Sequence, residues 1–140
     1  MIYEQSLARH DQSRRQDGML LPSAAIVDAF TDDKESRVLI MGSGVSTFPA
    51  ELYGTGFEDI LCVDFAPATI DLMQRLNHDL SPGLTWQCLD ARDLGDLRSG
   101  SFDVIVNYGL ADVFRSSANP KVDMMRMMQE VQRLLRIKGQ

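Results

Sequence analysis

The stretch Arg37-Val38-Leu39-Ile40-Met41-Gly42-Ser43-Gly44-Val45-Ser46 decides the fold of this chain. Val38 to Met41 is a short, unbroken apolar run that stops at two glycines. A run of this kind suits a strand buried on both faces of a parallel sheet. Glycine has no Cβ, so the backbone after the strand can turn tightly and lie close against a ligand. Ser46 can then cap a helix through Phe48, Ala50, Leu52 and Tyr53 that stops at Gly54-Thr55-Gly56.

The same unit recurs downstream. Ile60-Leu61-Cys62-Val63 reads as a second strand ending at Asp64, and Pro67 opens a helix with Ile70, Leu72, Met73 and Leu76 at helical spacing. Leu84 to Leu89 reads as a third strand ending at Asp90, after a turn at Asn77 to Gly83. Phe102 to Val106 reads as a fourth, ending at Asn107-Tyr108-Gly109. Asn119 caps the longest helix, with Pro120 in its first turn and apolar residues from Val122 to Leu135. Strands alternating with helices predict a parallel α/β sheet. Upstream, residues 2 to 17 read as a polar surface helix or arm, and Pro22 opens a helix with Ala24, Ile26, Val27 and Phe30 on its apolar face. The expected organisation is one domain over residues 1–140, with a helical segment at 1–36 and an α/β core at 37–140.

Three chemical features fall at strand C-terminal ends, where open α/β sheets bind ligands. They are the Gly42-x-Gly44 turn, Asp64 about twenty residues further on, and Asp90 followed by Ala91. A carboxylate at Asp64 can accept both hydroxyls of a ribose. A carboxylate or backbone group at Asp90 and Ala91 can meet the exocyclic amine of an adenine. A dinucleotide fingerprint needs a third glycine at position 47, where this chain has Thr47, so NAD is disfavoured against a smaller, amino-acid-bearing nucleoside.

Composition narrows the classes further. The 140 residues carry a net charge of −6, with 44% hydrophobic and 24% charged residues, which suits one globular domain and argues against a nucleic-acid surface. Basic residues gather at Arg9, Arg14 and Arg15 and again at Arg126, Arg133, Arg136 and Lys138; the second group is expected to complement a helix C-terminus. Cys62 and Cys88 form no C-x-x-C pair and read as small buried hydrophobes. No metal-ligand or Ser-His-Asp arrangement is apparent; His78 falls in a turn and His10 in the polar N-terminal segment. The polar N-terminus and the lack of a long apolar span lead to the expectation of a cytoplasmic protein without membrane contact.

The order of these motifs resembles class I S-adenosylmethionine-dependent methyltransferases. Val38 to Ser46 looks like their first motif, Ile60 to Phe65 the second, Leu89-Asp90-Ala91 the third and Ser101 to Asn107 the fourth. Glu130 to Arg136 is similar to the helix before their fifth strand, so the likeness covers residues 37 to 139. Within the class, the Gly-x-Gly-x-Ser loop, Leu52 to Phe57 and the Val-Asp-Phe turn look most like elongation-factor lysine methyltransferases and their methyltransferase-like relatives.

The resemblance implies a Rossmann-like sheet in the order 3-2-1-4 and S-adenosylmethionine held by Gly42, Ser43, Gly44, Asp64, Phe65, Asp90, Ala91 and Asn107. By analogy, Asn107, Tyr108 and Asp112 face the methyl group. Two departures stand out. Ile40 replaces the acidic residue many members carry before the glycines, and Asn107-Tyr108-Gly109-Leu110-Ala111-Asp112 replaces the Asp-Lys-Gly-Thr-Leu-Asp of that branch. The full class I sheet has seven strands, and this chain ends where the fifth would begin. An apolar strand-four edge would then lie open and invite pairing, which predicts a homodimer or a covering partner, with the methionines of the last helix as weaker support. The activity expected is methyl transfer to a protein lysine or a small molecule; the alternative is a donor-binding regulatory module without catalysis.

Overall fold

In the computed structural model, residues 2–4 and 31–136 are described. The elements are β1 (Ile2–Glu4), β2 (Val38–Met41), α1 (Phe48–Gly54), β3 (Ile60–Asp64), α2 (Pro67–Leu76), β4 (Leu84–Cys88), β5 (Val104–Asn107), α3 (Leu110–Arg115) and α4 (Pro120–Leu134). A single 3-10 turn, His78–Leu80, follows α2. The strands form one five-stranded sheet in the order β1-β5-β2-β3-β4, with every pair parallel.

The four strands read from the sequence therefore lie in the expected 3-2-1-4 order, counted from Val38–Met41. The fifth strand corrects the reading of the strand-four edge. Ile2, Tyr3 and Glu4 pair with Ile105, Val106 and Asn107, so backbone groups expected to be open are bonded by the chain's own N-terminal residues. A polar surface helix or arm was expected there; three residues suffice for a strand because an unpaired backbone edge is itself the template. The remaining expectations for the N-terminal helical segment, with Arg9, His10, Arg14 and Arg15, lie outside the described residues. So does Lys138.

Side-chain alternation explains why both faces of the sheet are covered. Val38, Ile40, Ile60, Cys62, Val104 and Val106 face one way and pack with Phe48 and Leu52 of α1 and Ile70 and Met73 of α2. Leu39, Met41, Leu61, Val63 and Ile105 face the other way, against Leu110 and Phe114 of α3 and Met127, Val131 and Leu134 of α4. β4 alternates buried and part-buried residues because it lies at the end of the sheet. Met127 is core filler, whereas Met125 and Met128 of the same helix are exposed.

The basic end of α4 does more than balance a dipole. The Arg133 guanidinium donates to the carbonyls of Leu94 and Leu97 and pairs with Glu130, while Arg136 pairs with Asp103. The Arg133 bonds fasten the Asp90–Ser101 connection, which has little regular structure of its own, to α4. Cys62 is buried as expected, and burial pushes its thiol far above the usual range. Cys88 is exposed, contrary to the expectation of a buried residue, because it stands at the end of the edge strand.

Candidate functional site

Register brings the sequence-indicated residues together. Met41 is level with Val63 and Asn107, so β2, β3 and β5 end side by side. Two further bonds extend the ladder past those ends: Gly42 N–H donates to the Val63 carbonyl and Tyr108 N–H to the Met41 carbonyl, both at 2.9 Å. The glycine loop, the acidic turn after β3 and the Tyr108 turn therefore form one rim.

The two loop glycines have different reasons to be glycine. Both have positive φ, +77° at Gly42 and +57° at Gly44. A Cβ on Gly42 would lie 2.8 Å from Leu110, so the bare α-carbon there is covered by α3. A Cβ on Gly44 would meet nothing within 4 Å. Gly44 thus faces open space, where a ligand can approach the backbone. The Ser43 side chain is buried and faces the Cys62 thiol, leaving its backbone rather than its hydroxyl for a ligand.

Asp64 locks this loop to β3. One carboxylate oxygen accepts the Gly44 N–H at 3.2 Å and the other accepts the Ala66 N–H at 3.0 Å. An ionised carboxylate has about four acceptor positions, so about two remain for the adjacent hydroxyls of a ribose. Phe65, next along, is 64% exposed at the rim of the hollow described below. A large ring left in water beside a cleft is what a flat base would cover.

On the far side of Phe65, Asp90 ends the β4 connection. Its carboxylate is held by Arg92 through the backbone N–H and the guanidinium, with Nη2 at 2.6 Å from Oδ2. The same guanidinium reaches Asp123 of α4 at 3.0 Å. Arg92 holds Asp90 below the usual carboxylate range, and Asp123 is lowered chiefly by the neighbouring Ser117 hydroxyl and then by Arg92. Ser117 lies against Asp123, yet its buried Oγ makes no well-aligned hydrogen bond of its own. Nothing in the local sequence marked Arg92 or Asp123. Their pairing spans 31 residues and depends on how α4 packs.

Two adjoining hollows run along this rim. One of about 280 Å³ is lined by Phe65, Asp90, Ala91, Arg92, Leu110, Val113, Phe114, Ser116, Ser117 and Asp123. One of about 90 Å³ is lined by Gly42, Val63, Asp64, Phe65, Leu89, Ala91, Leu110 and Val113. Phe65, Ala91, Leu110 and Val113 border both. A third hollow of about 320 Å³, beside Gln74, His78 and Trp86, contains none of the sequence-indicated residues. Helix α3, to which the sequence reading assigned no element, supplies the roof of the site. It starts from Gly109, whose φ of +83° lets the chain turn out of β5.

The acceptor-side candidates separate. Asn107 is 2% exposed and its Oδ1 accepts the Leu110 N–H at 3.1 Å, so it ties the end of β5 to the start of α3. Tyr108 stacks on Phe48 with ring centroids 5.6 Å apart, and its hydroxyl oxygen accepts a hydrogen bond from Ser46 Oγ at 3.1 Å. That bond joins the glycine loop to the β5 turn. Asp112 falls within α3, and its side chain lies outside the described residues. Among the described residues no group of three or more His, Cys, Asp or Glu could hold a metal, and no helix is long and apolar enough to cross a membrane.

A doubly covered parallel sheet with a glycine turn, a carboxylate and a hollow at its strand tips defines a nucleoside-binding α/β domain. The profile of the methyltransferase-domain family matches residues 39–140, and the chain belongs to that family. Its cofactor is S-adenosylmethionine. The residues present fit that group: a close-approach glycine at Gly44, free acceptor positions on Asp64, and an apolar hollow ending in a carboxylate at Asp90.

Among curated proteins, the chain is 38% identical over 78 residues to EEF1A lysine methyltransferase 4 of Mus musculus, covering 56% of this chain and 30% of that protein. It is 32% identical over 103 residues to the eEF1A lysine and N-terminal methyltransferase of Danio rerio, covering 74% of this chain and 15% of that protein. The chain thus spans less than a third of the length of either. Among solved structures, a TehB-like SAM-dependent methyltransferase from Corynebacterium glutamicum superposes with a TM-score of 0.63 at 20% identity, covering 91% of this chain and 64% of that one. The cyclase SpnF superposes with a TM-score of 0.65 at 18% identity, covering 83% of this chain and 41% of that one. These two likenesses concern the fold alone.

Proposed function

We propose that this chain binds S-adenosylmethionine at the β2, β3 and β4 tips and transfers its methyl group to a protein lysine. The observation that carries the reading is the Asp64 carboxylate, anchored by the Gly44 and Ala66 N–H groups beside the one loop glycine that faces open space. The lysine methyltransferase names of the two curated relatives support the lysine acceptor over a small molecule. When bound, the sulfonium cofactor supplies an already activated methyl group. The chain's own work is then to orient donor and acceptor and to exclude water. Asp64 holds the sugar, Phe65 and the 280 Å³ hollow take the base, and the Gly44 backbone lies along the amino-acid portion. Tyr108, at the tip of β5 beside the glycine loop, is the candidate to face the acceptor amine.

With Ile2–Glu4 paired along β5, the function is proposed for the single chain. The test combines calorimetry with the donor and with S-adenosylhomocysteine, then transfer of a labelled methyl group to elongation factor and to cell extract. Binding together with a methylated lysine is expected. Binding without any methylated product would replace this reading by the donor-binding module, and no binding would refute both. Sedimentation of the purified chain tests the oligomeric part: a monomer is expected, and a stable dimer would restore the partner.

A further inference from the structure

The geometry points to Arg92 as the positioning residue that gives the site its selectivity for adenine over a base lacking the exocyclic amine, by fixing the Asp90 carboxylate from α4. This inference rests on the proposed nucleoside site and deepens it. Arg92 presents three hydrogens to Asp90. The backbone N–H donates to Oδ1 at 2.9 Å, Nε–H is shared between Oδ1 at 3.0 Å and Oδ2 at 3.2 Å, and Nη2 donates to Oδ2 at 2.6 Å. A carboxylate has about four acceptor positions, so about one stays open. The adenine amine carries two hydrogens in the ring plane that point to opposite edges, so one of them suits the one open position.

The grip is itself anchored. Nη1 of Arg92 donates to Asp123 Oδ1 at 3.0 Å, and the Asp123 side chain is only 8% exposed in the packed face of α4. The guanidinium also lies 5.8 Å from the Phe114 ring of α3. Arg92 and both of its carboxylate partners line the same hollow. A side chain in the connection after β4 is thus oriented by two helices, so the open acceptor position keeps a constant direction. The planar five-donor fork of arginine permits this double grip, and a lysine ammonium does not reproduce it.

The readout is a ratio that a merely structural role would leave alone. S-adenosylhomocysteine and its inosine analogue, which carries a carbonyl in place of the amine, are titrated calorimetrically into the protein and its variants. The intact protein is expected to favour the adenosine form by about ten- to a hundredfold, the range for a hydrogen bond to a charged partner. In Arg92→Met that preference falls to about threefold or less, because the carboxylate is free to turn. Arg92→Lys and Asp123→Asn, milder changes that guard against misfolding, give intermediate preferences. Equal losses for both ligands in Arg92→Met, with the ratio intact, overturn the inference and leave Arg92 as a fold-holding residue. An intact protein that binds both forms equally overturns it too while the cofactor site stands. Binding of neither form brings down the nucleoside site and the inference together.

Discussion

Replacing each loop glycine by alanine separates the two roles assigned to the turn. At Gly42 a methyl group would lie 2.8 Å from two carbons of Leu110, itself only 6% exposed between α3 and the sheet. The left-handed backbone adds about 1–2 kcal/mol for a residue with a Cβ, and displacing a packed leucine adds about 1–3 kcal/mol. At roughly 3–5 °C per kcal/mol for a chain of this size, Gly42→Ala lowers the melting temperature by roughly 6–25 °C. Gly44 carries only the backbone term, since nothing lies within 4 Å of its would-be Cβ; its melting temperature falls by roughly 3–10 °C. The order reverses as regards ligand. The Gly44 methyl projects into the space proposed for the donor, and a misfit of about 1–3 kcal/mol weakens S-adenosylhomocysteine by roughly 5- to 150-fold. Thermal unfolding and calorimetry on the same preparations check both halves. A Gly44→Ala protein that binds like the unmodified one would refute the placement of the ligand. A Gly42→Ala protein no less stable than Gly44→Ala would refute the packing argument.

Four other outcomes are expected. Asp64→Asn turns one acceptor oxygen into a donor facing either the Gly44 or the Ala66 N–H, so donor affinity falls by about tenfold or more, and unchanged affinity in calorimetry rules out a sugar contact there. Tyr108→Phe keeps the ring on Phe48 but loses the Ser46 bond; donor affinity holds while turnover falls, and parallel losses of both would make Tyr108 a packing residue only. The Glu130 carboxyl is held below its ordinary 4.5, first by Arg133, so its stabilising contribution is complete above that value and is lost as pH falls through the lowered one. Asp90 and Asp123 shift in the same direction, so acid lability sets in below about pH 4.5, and the stability gap between Glu130→Gln and the unmodified protein closes there; a gap constant from pH 7 to 3 contradicts the linkage. Iodoacetamide at neutral pH modifies Cys88 and spares Cys62, whose burial keeps the thiol protonated, until denaturant is added; mass spectrometry showing early double labelling would mean an open core.

The 3-2-1-4 strand order was implied only by the family resemblance, whereas the four apolar runs between Val38 and Val106 determined the parallel sheet and the tip positions of Gly44, Asp64 and Asp90. That much was legible because strand burial and tight turns leave their mark within a few residues of the chain. The exposed Cys88 and the six-residue helix over the site left no such mark. A short helix after an αL glycine has too few turns to show a period, and exposure of a strand residue depends on which strand ends the sheet. Only the tertiary structure decided that Ile2–Glu4 closes the edge at β5, because backbone pairing is indifferent to side-chain identity. Only packing, likewise, brought Arg92 between Asp90 and Asp123. That contact is made by α4 docking across the sheet, and no spacing within the Asp-Ala-Arg segment could have announced it.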